Sequence, residues 1–239
     1  MSDVKMVAIT ESLITADGNN VEFDDDIPMT VEEFVSYVAR VSNPSNQNNM
    51  TTASKLLKYL ARNKHWSPFE MVNIVMEIKT TRDIGRQILR HRSFSFQEFS
   101  QRYAKVLDMS PPREARLQDI KNRQNSIETS DEVLVETWAA KQEYLKEIAT
   151  HTYQWALDNG VAKEQARAVL PEGLTMTRMY MSGSLRSWIH YCLLRMDALV
   201  DEKGNPLKGT QKEHREVAEK CWNLILKKFP ALTSILEQE

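Results

Sequence analysis

The segment from Arg90 to Tyr103, RHRSFSFQEFSQRY, concentrates side chains that can bind an anionic ligand carrying a ring. Its arginines present rigid forks of N–H donors that suit phosphate oxygens. Serine hydroxyls, glutamine amides and the acceptor Glu98 stand between phenylalanines, which supply apolar surface. A nucleotide requires donors for phosphate, an acceptor for its sugar or base and an apolar wall for its ring. The segment therefore predicts a nucleotide site.

The composition argues against several other kinds of site. The formal net charge of −2 provides no global basic field for nucleic-acid binding, so anions must be recognised locally. The seven glycines lack the spacing of Rossmann and P-loop phosphate sites, and the five histidines and two cysteines lack that of a zinc site. We therefore expect no metal, and we expect side chains to hold any phosphate.

The sequence also predicts where the protein resides. Its apolar runs fall short of the roughly 20 residues that cross a bilayer, and the N-terminal sequence MSDVKMVAIT lacks the order of a signal peptide. Cys192 and Cys221 fall in helical segments and are expected to be core residues, not a disulfide. We expect a cytoplasmic protein, or one of the host cytoplasm if it is viral, that binds neither membrane nor nucleic acid.

The surrounding elements predict an α+β fold, with helices packed on a small, mainly antiparallel sheet in a single domain over 1–239. Apolar and alternating runs predict strands at 4–13, 71–79 and 174–181. Helical periodicity predicts helices at 30–41, 51–63, 81–92, 131–159, 183–199 and 211–229, with a short helix ending at 170. Arg90 to Arg92 would end the third of these helices, where cations are also favourable for the helix dipole alone.

Two segments lie outside these elements. Residues 108–130 are polar, carry mixed charges and contain Pro111-Pro112, which predicts an exposed excursion with a short helix at 114–122. Residues 200–209 include the sequence DEKGNPLKG, which predicts an inserted turn or hairpin before the last helix.

RHRSFSFQEFSQRY resembles the signature of the flavin-dependent thymidylate synthases, in which an R-H-R triplet is followed after seven residues by serine and two further on by arginine. Ser100 and Arg102 occupy those last two places. Other segments resemble the family in the same order, so the resemblance covers most of the chain from Met29 onward. These segments are HWSPFE at 65–70, REARLQDIKNRQNS at 113–126, ARAVLP at 166–171, and GSLRSW at 183–188, which leads to Arg195.

The resemblance implies methylation of dUMP to dTMP, with methylenetetrahydrofolate as carbon donor, NADPH as reductant and FAD as hydride carrier. It also implies a homotetramer with active sites shared between subunits. The residues implied to surround dUMP are Gln87, Arg90, Glu98, Ser100, Gln101, Arg102, Arg167 and Arg195. Those implied to contact FAD are His65, Ser67, Arg90, His91, Arg92, Glu98, Ser184, Arg186 and His190.

Arg195 is implied to be the catalytic residue, by hydrogen bonding to the uracil edge and stabilising its N3-deprotonated form. On helix geometry alone, Arg195 lies seven residues after Trp188 and projects toward the apolar side of its helix. An arginine in that position needs a partner, so the alternative is a buried ion pair with Asp197 or Glu98.

We expect no covalent enzyme nucleophile. No histidine–aspartate pair or lysine is placed by the sequence to activate Ser100, so its hydroxyl is expected to hydrogen-bond to dUMP. Neither cysteine lies beside an arginine of the motifs. His151 and His214 are expected to be solvated or capping residues.

The chain departs from the common family pattern at three places. Ser184 and His190 stand where many members carry asparagine; both can donate hydrogen bonds, although His190 adds bulk and can carry a charge. The segment at 201–209 intervenes where a histidine is common, so no flavin-binding histidine is assigned there.

Two other functions remain open on the sequence. In an RNA-binding module, the arginines would pair with phosphates while Phe94, Phe96 and Phe99 stack on bases. The acidic balance and the lack of a known RNA-binding signature argue against it. A flavin reductase without methyl transfer would bind the same cofactor but would not consume dUMP.

Overall fold

The structure is a computed structural model that describes residues 2–22, 26–106, 108–197 and 209–236. Its strands are β1 (Asp3–Ile9), β2 (Asn73–Thr81), β3 (Ser95–Glu98), β4 (Arg116–Gln118), β5 (Ser126–Glu128) and β6 (Met176–Ser184). Its α-helices are α1 (Val31–Ala39), α2 (Ala53–Arg62), α3 (Arg82–Ile88), α4 (Glu132–Asp158), α5 (Lys163–Ala166), α6 (Leu185–Arg195) and α7 (Lys212–Lys228).

The core is built on one antiparallel sheet with the strand order β1-β2-β6-β3. Side chains of the two central strands alternate between the core and the opposite face, as expected for strands with one buried face. Ile74, Met76, Met179 and Met181 are fully buried on the core face, where helices including α6 and α7 pack. The predicted α+β fold with a small antiparallel sheet is confirmed.

Local sequence signals account for the ends of several helices. Thr30 and Glu33 form the predicted capping box at the start of α1, each side chain bonding to the other residue's backbone N–H. Asp131 caps α4 by accepting a hydrogen bond from the backbone of Leu134. The chain leaves α4 through Gly160, whose φ of 77° favours glycine.

The signature segment differs from its prediction in two respects. The helix predicted to reach residue 92 ends at Ile88, so Arg90 to Arg92 lie in hydrogen-bonded turns after α3. The chain then forms β3, which pairs with β6 and was not predicted. The helix stops early because Phe94 turns into the core and the next residues join the sheet.

The polar excursion contains a β-hairpin, β4–β5, where a short helix was predicted. Charge pairs tie this hairpin region to α7, through Arg116 with Glu213 and Lys212 with Glu114. The mixed charges therefore have structural partners, and the helix prediction for 114–122 is wrong.

The insertion predicted at 200–209 lies outside the described residues except for Gly209. None of the helices in the described ranges combines the length and apolar character needed to cross a membrane.

Candidate functional site

Phe94 anchors the signature segment beside α6. Its side chain is 8% exposed, and its ring packs edge-on against Trp188 with centroids 4.8 Å apart. The ring also lies directly over the backbone of Gly183, the last residue but one of β6. Because only a glycine allows this approach, Gly183 sets the distance between the arginine triplet and the start of α6.

We expect Gly183→Ala to be destabilising and to displace the triplet. A Cβ at residue 183 would lie 2.5 Å from a ring carbon of Phe94, which is far inside van der Waals contact. Overpacking of this kind costs about 1–3 kcal/mol, measurable as a lower midpoint of chemical unfolding. In a Phe94→Ala background the same substitution should cost much less. Equal costs in both backgrounds would contradict this account.

Arg195, at the end of α6, is held by a histidine of the signature. Its Nε donates to Nε2 of His91 over 3.0 Å, and its two Nη atoms make no hydrogen bond within the described part of the chain. The carboxylates proposed as partners from helix geometry are engaged elsewhere: Asp197 pairs with Arg215 at 3.1 Å and Glu98 with Arg82 at 3.5 Å. The alternative of a buried ion pair for Arg195 is therefore wrong.

His91 is a neutral partner for this cation. Burial, together with the nearby charges of Arg195 and His190, lowers the pKa of His91 to about 4. Its Nε2 accepts from Arg195, so the ring hydrogen is on Nδ1. Burial also lowers the pKa of the Arg195 guanidinium. Asp197 partly offsets the charge of Arg195 without forming an ion pair with it, and a half-buried arginine that faces a neutral imidazole remains suited to an anion.

A second chain of hydrogen bonds leads to Gln87 on α3. His214 on α7 has its Nδ1 3.2 Å from Oε1 of Gln87 and its Nε2 3.2 Å from the hydroxyl of Tyr191. The amide Nε2 of Gln87 donates to Oε1 of Gln211 over 2.8 Å. His214 is fully buried, so the expectation that it is solvated or capping is wrong, whereas His151 is exposed as expected.

The signature turn forms a separate group of donors with α5. Arg102 Nε lies 3.4 Å from the carboxylate of Glu164, and Arg167 Nε donates to the backbone carbonyl of Glu164 over 3.3 Å. Ser100 is exposed, and its carbonyl accepts from the backbone of residues 103 and 104, which closes the turn. Gln101 is 5% exposed, yet its Nε2 has no hydrogen-bond partner among the described residues.

Glu98, at the end of β3, turns its side chain toward β6 and α3. Its Oε1 accepts from the hydroxyl of Thr177 over 2.7 Å and faces Arg82 at 3.5 Å. Its side chain remains 23% exposed, so the carboxylate has both fixed partners and access to a ligand. No hydrogen bond or ion pair among the described residues joins the Arg102 group to Arg195.

Two of the remaining residues implied for FAD, Ser184 and Arg186, lie at the start of α6. Ser184 caps this helix by accepting from the backbone of Ser187, and Arg186 donates to Glu70 over 2.8 Å. Glu70 belongs to the turn that contains Ser67, so this ion pair joins that turn to α6. The other residues implied for FAD in this group have exposed side chains that a large ligand can reach: His65, Arg90, Arg92 and His190.

The sequence reasoning missed Tyr191, Gln211 and the role of His214. A signal for His214 was present, because it begins the buried stripe of α7 that continues through Val217, Ala218, Cys221, Trp222 and Ile225. Spacing of three and four residues places all of these on one helix face. A polar residue on such a face needs a buried hydrogen-bond partner.

Similarity to known proteins extends over most of the chain. Residues 28–231 match the family described as "Thymidylate synthase complementing protein". A probable flavin-dependent thymidylate synthase of Paramecium bursaria Chlorella virus 1 is 50% identical over 208 residues, which are 87% of this chain and 91% of that protein. The flavin-dependent thymidylate synthase of Synechocystis is 44% identical over 235 residues, covering 98% and 99%.

The fold is also similar to that of a solved structure. A UMP/dUMP methylase, PolB from Streptomyces cacaoi, crystallised with 5-Br dUMP, superposes with a TM-score of 0.77 at 25% identity, covering 99% of this chain and 95% of that one. The matches extend over nearly the whole chain and include the signature segment. The chain therefore belongs to the flavin-dependent thymidylate synthases, a family of methyltransferase enzymes.

Proposed function

We propose that this protein methylates dUMP to dTMP, with methylenetetrahydrofolate as carbon donor, NADPH as reductant and FAD as bound cofactor. The observation that carries the proposal is the pairing of Arg195 with the neutral imidazole of His91, which leaves both Nη atoms without a hydrogen bond among the described residues and so available to an anion. A uracil ring deprotonated at N3 is such an anion. Stabilising it makes carbon 5 of the ring more reactive toward an electrophile.

The chain's own residues fit a flavin dinucleotide. When bound, FAD supplies the hydride transfer that no protein side chain performs. Arg90 and Arg92 are exposed in the turns that follow α3. The carbonyl of Ser93, the next residue, accepts from the hydroxyl of Ser187 in the first turn of α6, and helix N-termini favour phosphate groups. Arg186 and Ser184 lie in the first turn and at the cap of that helix, so the side chains and the helix dipole favour the same anion.

The signature turn fits a nucleotide monophosphate. The buried amide of Gln101 lacks a partner, and an unsatisfied buried donor is costly unless a ligand accepts from it. Arg102 and Arg167 are held together by Glu164, and the hydroxyl of Ser100 is exposed next to them. We propose that these donors hold the phosphate of dUMP.

A mechanism without an enzyme nucleophile agrees with the chemistry of the thiols and of Ser100. Burial raises the pKa of Cys192 and of Cys221, so both are protonated, unreactive thiols at neutral pH. Ser100 makes no side-chain hydrogen bond to a base within the described residues, so nothing activates its hydroxyl.

We expect Ser100→Ala to raise the KM for dUMP by about 3- to 10-fold, the effect of one lost hydrogen bond, while turnover remains measurable. Steady-state kinetics over a range of dUMP concentrations would determine both constants. Complete loss of turnover with dUMP affinity unchanged would instead identify Ser100 as a chemical participant.

The function is tested by reconstituting the reaction from the purified protein. The flavin is released by heating and identified by chromatography, which distinguishes FAD from FMN. Formation of dTMP is then followed with all components and with dUMP, methylenetetrahydrofolate or NADPH omitted in turn. Oxidation of NADPH without dTMP would support a flavin reductase, and tight RNA binding without flavin would support a nucleic-acid module.

We also propose that the protein is a homotetramer whose sites are shared between subunits. The helix α4 carries an exposed apolar stripe with the four-and-three spacing of helix packing, formed by Leu134, Trp138, Leu145, Ile148 and Trp155. Tyr153 and Ala156, on the neighbouring face of α4, are buried against the same chain. A stripe of this length, left open by the single chain, fits contact with another copy.

Ile148→Glu tests this proposal, because it places a charge in the middle of the stripe. Its matched control is Thr150→Glu, an exposed position of α4 off the stripe. Light scattering should give a tetramer for the parent and the control, and smaller, less active species for Ile148→Glu. A fully active monomeric parent would contradict the proposal.

A further inference from the structure

The hydrogen bonds around Gln87 run in one direction, which begins at the amide of Gln211, near the carboxylate of Glu213. Glu213 is ion-paired with Arg116 and half buried. Burial would raise its pKa, but the hydrogen bonds from Arg116 and the amide of Gln211 hold the pKa of Glu213 below its ordinary value. An ionised carboxylate favours the N–H side of a neighbouring amide, which agrees with the arrangement at Gln211, whose Oε1 accepts from Nε2 of Gln87.

The orientation of the Gln211 amide determines the donors and acceptors at Gln87 and His214. Because Oε1 of Gln211 accepts, Gln87 must present Nε2 to it and Oε1 to His214. The nitrogen of His214 that faces an acceptor must carry the ring hydrogen, so Nδ1 donates. Burial, together with Arg195 and His91, lowers the pKa of His214 to about 3, so the ring is neutral and its Nε2 accepts from the hydroxyl of Tyr191.

This arrangement leaves one part of Gln87 available. Its Oε1 is engaged by His214 and one hydrogen of its Nε2 by Gln211, while the second hydrogen has no acceptor among the described residues. The side chain is half buried, so a ligand can reach it. A side-chain amide can rotate to exchange oxygen for nitrogen. His214 and Gln211 together oppose this, because a rotated amide would bring its N–H to the Nδ1–H of His214 and its oxygen to Oε1 of Gln211.

We infer that His214, oriented by Tyr191, is a positioning residue that holds the amide of Gln87 so that it offers a donor, and not an acceptor, to dUMP. The inference rests on the proposed function, in which Gln87 contacts the nucleotide. It adds residues of α6 and α7 that lie behind the site and do not touch the ligand themselves.

Tyr191 also connects this series of hydrogen bonds to Arg195. Its ring packs edge-on against His91 with centroids 4.9 Å apart, and His91 is the acceptor of the Arg195 guanidinium. The tyrosine is fully buried, and its own position is fixed by Trp188, 5.8 Å away between ring centroids. One rigid side chain therefore supports two groups that face the substrate from different elements.

The test compares four variants of the full-length protein loaded with flavin. His214→Leu removes both hydrogen bonds, and Tyr191→Phe removes only the hydroxyl. His214→Asn keeps an amide N–H near the place of Nδ1, so it is the conservative replacement. Val217→Ala is the matched control, because Val217 is also fully buried on α7 but makes no hydrogen bond to Gln87.

We expect His214→Leu to raise the KM for dUMP by about 10-fold, the upper effect of one lost hydrogen bond, with a smaller change in kcat. Tyr191→Phe should raise it less, and His214→Asn should restore most of the affinity. Val217→Ala should lower the melting temperature through its cavity and leave the KM for dUMP at the parent value.

A double-mutant cycle with Gln87→Ala then separates positioning from a general structural effect. If His214 acts through Gln87, His214→Leu has almost no further effect on KM once Gln87 is removed. Equal effects in the two backgrounds, or an unchanged KM in His214→Leu, would overturn the inference while dUMP methylation by the parent stands. Failure of the parent to bind dUMP in calorimetry would overturn the proposed function and this inference together.

Discussion

Arg195→Ala is expected to lower kcat for dTMP formation by about 100-fold or more, the usual cost of removing one donor that stabilises developing negative charge. The variant should remain folded and yellow, because Arg195 has no ion pair within the described residues and its loss leaves a neutral imidazole behind. The KM for dUMP should change much less than kcat. Stopped-flow reduction of the flavin by NADPH should be nearly normal, since that step does not involve the uracil ring.

Two controls define what the arginine contributes. Arg195→Lys retains a charge but loses the planar fork that donates to His91 and to a ligand at once, so its rate should lie between those of the parent and the alanine variant. Arg178→Ala removes an exposed arginine that makes no ion pair within the described chain and should retain the parent rate. Loss of such a donor is expected to leave about one hundredth of the parent kcat or less. If Arg195→Ala instead keeps more than about a third of the parent kcat, a far smaller loss than the one expected, then Arg195 is not the residue that activates uracil.

Much of the scaffold around this arginine follows from local sequence. The 27-residue helix α4 was predicted to within a residue at each end, because Asp131 caps its start and Gly160 adopts the left-handed conformation after its end. The strands β2 and β6 were recognisable because their side chains alternate between a buried and an open face. These signals come from residues that are close together in the sequence, so they can be recognised without the structure.

The parts that could not be predicted depend on contacts between distant residues. Strand β3 exists because Phe94 fits against the bare backbone of Gly183, some ninety positions away in the chain. The β4–β5 hairpin is held by Arg116 pairing with Glu213 on α7, and its own sequence reads as a polar loop. Local periodicity contains no information about such pairings, and the family resemblance implied candidate site residues without giving their partners.

The structure adds that the two ends of the signature lie at separate places in one chain. Arg90 to Arg92 lie beside α6, while Arg102 reaches α5 at the other end of β3. A four-residue strand holds these two groups at a fixed separation, which a flexible loop would not do. The strand that sequence reasoning missed is thus the element that relates the proposed flavin and phosphate groups.

Arg102→Ala is expected to raise the KM for dUMP by about 10- to 100-fold, because a hydrogen bond to a charged group contributes about 1.5–3 kcal/mol. The effect on stability should be small. The side chain of Arg102 is 69% exposed and its ion pair with Glu164 spans 3.4 Å, and exposed pairs of this kind contribute at most about 1 kcal/mol. A large loss of affinity without a loss of stability would therefore reflect contact with the substrate.

Comparison of dUMP with deoxyuridine identifies the group that Arg102 binds. If Arg102 holds the phosphate, the parent prefers dUMP strongly, and Arg102→Ala reduces this preference by lowering kcat/KM for dUMP alone. The matched control is Glu164→Gln, which removes the charged partner and keeps the arginine, so its KM for dUMP should not rise. A fall of kcat/KM by the same factor for both substrates would mean that Arg102 shapes the turn and leaves the phosphate to other donors. A rise in KM in Glu164→Gln as large as that in Arg102→Ala would assign the effect to the ion pair itself.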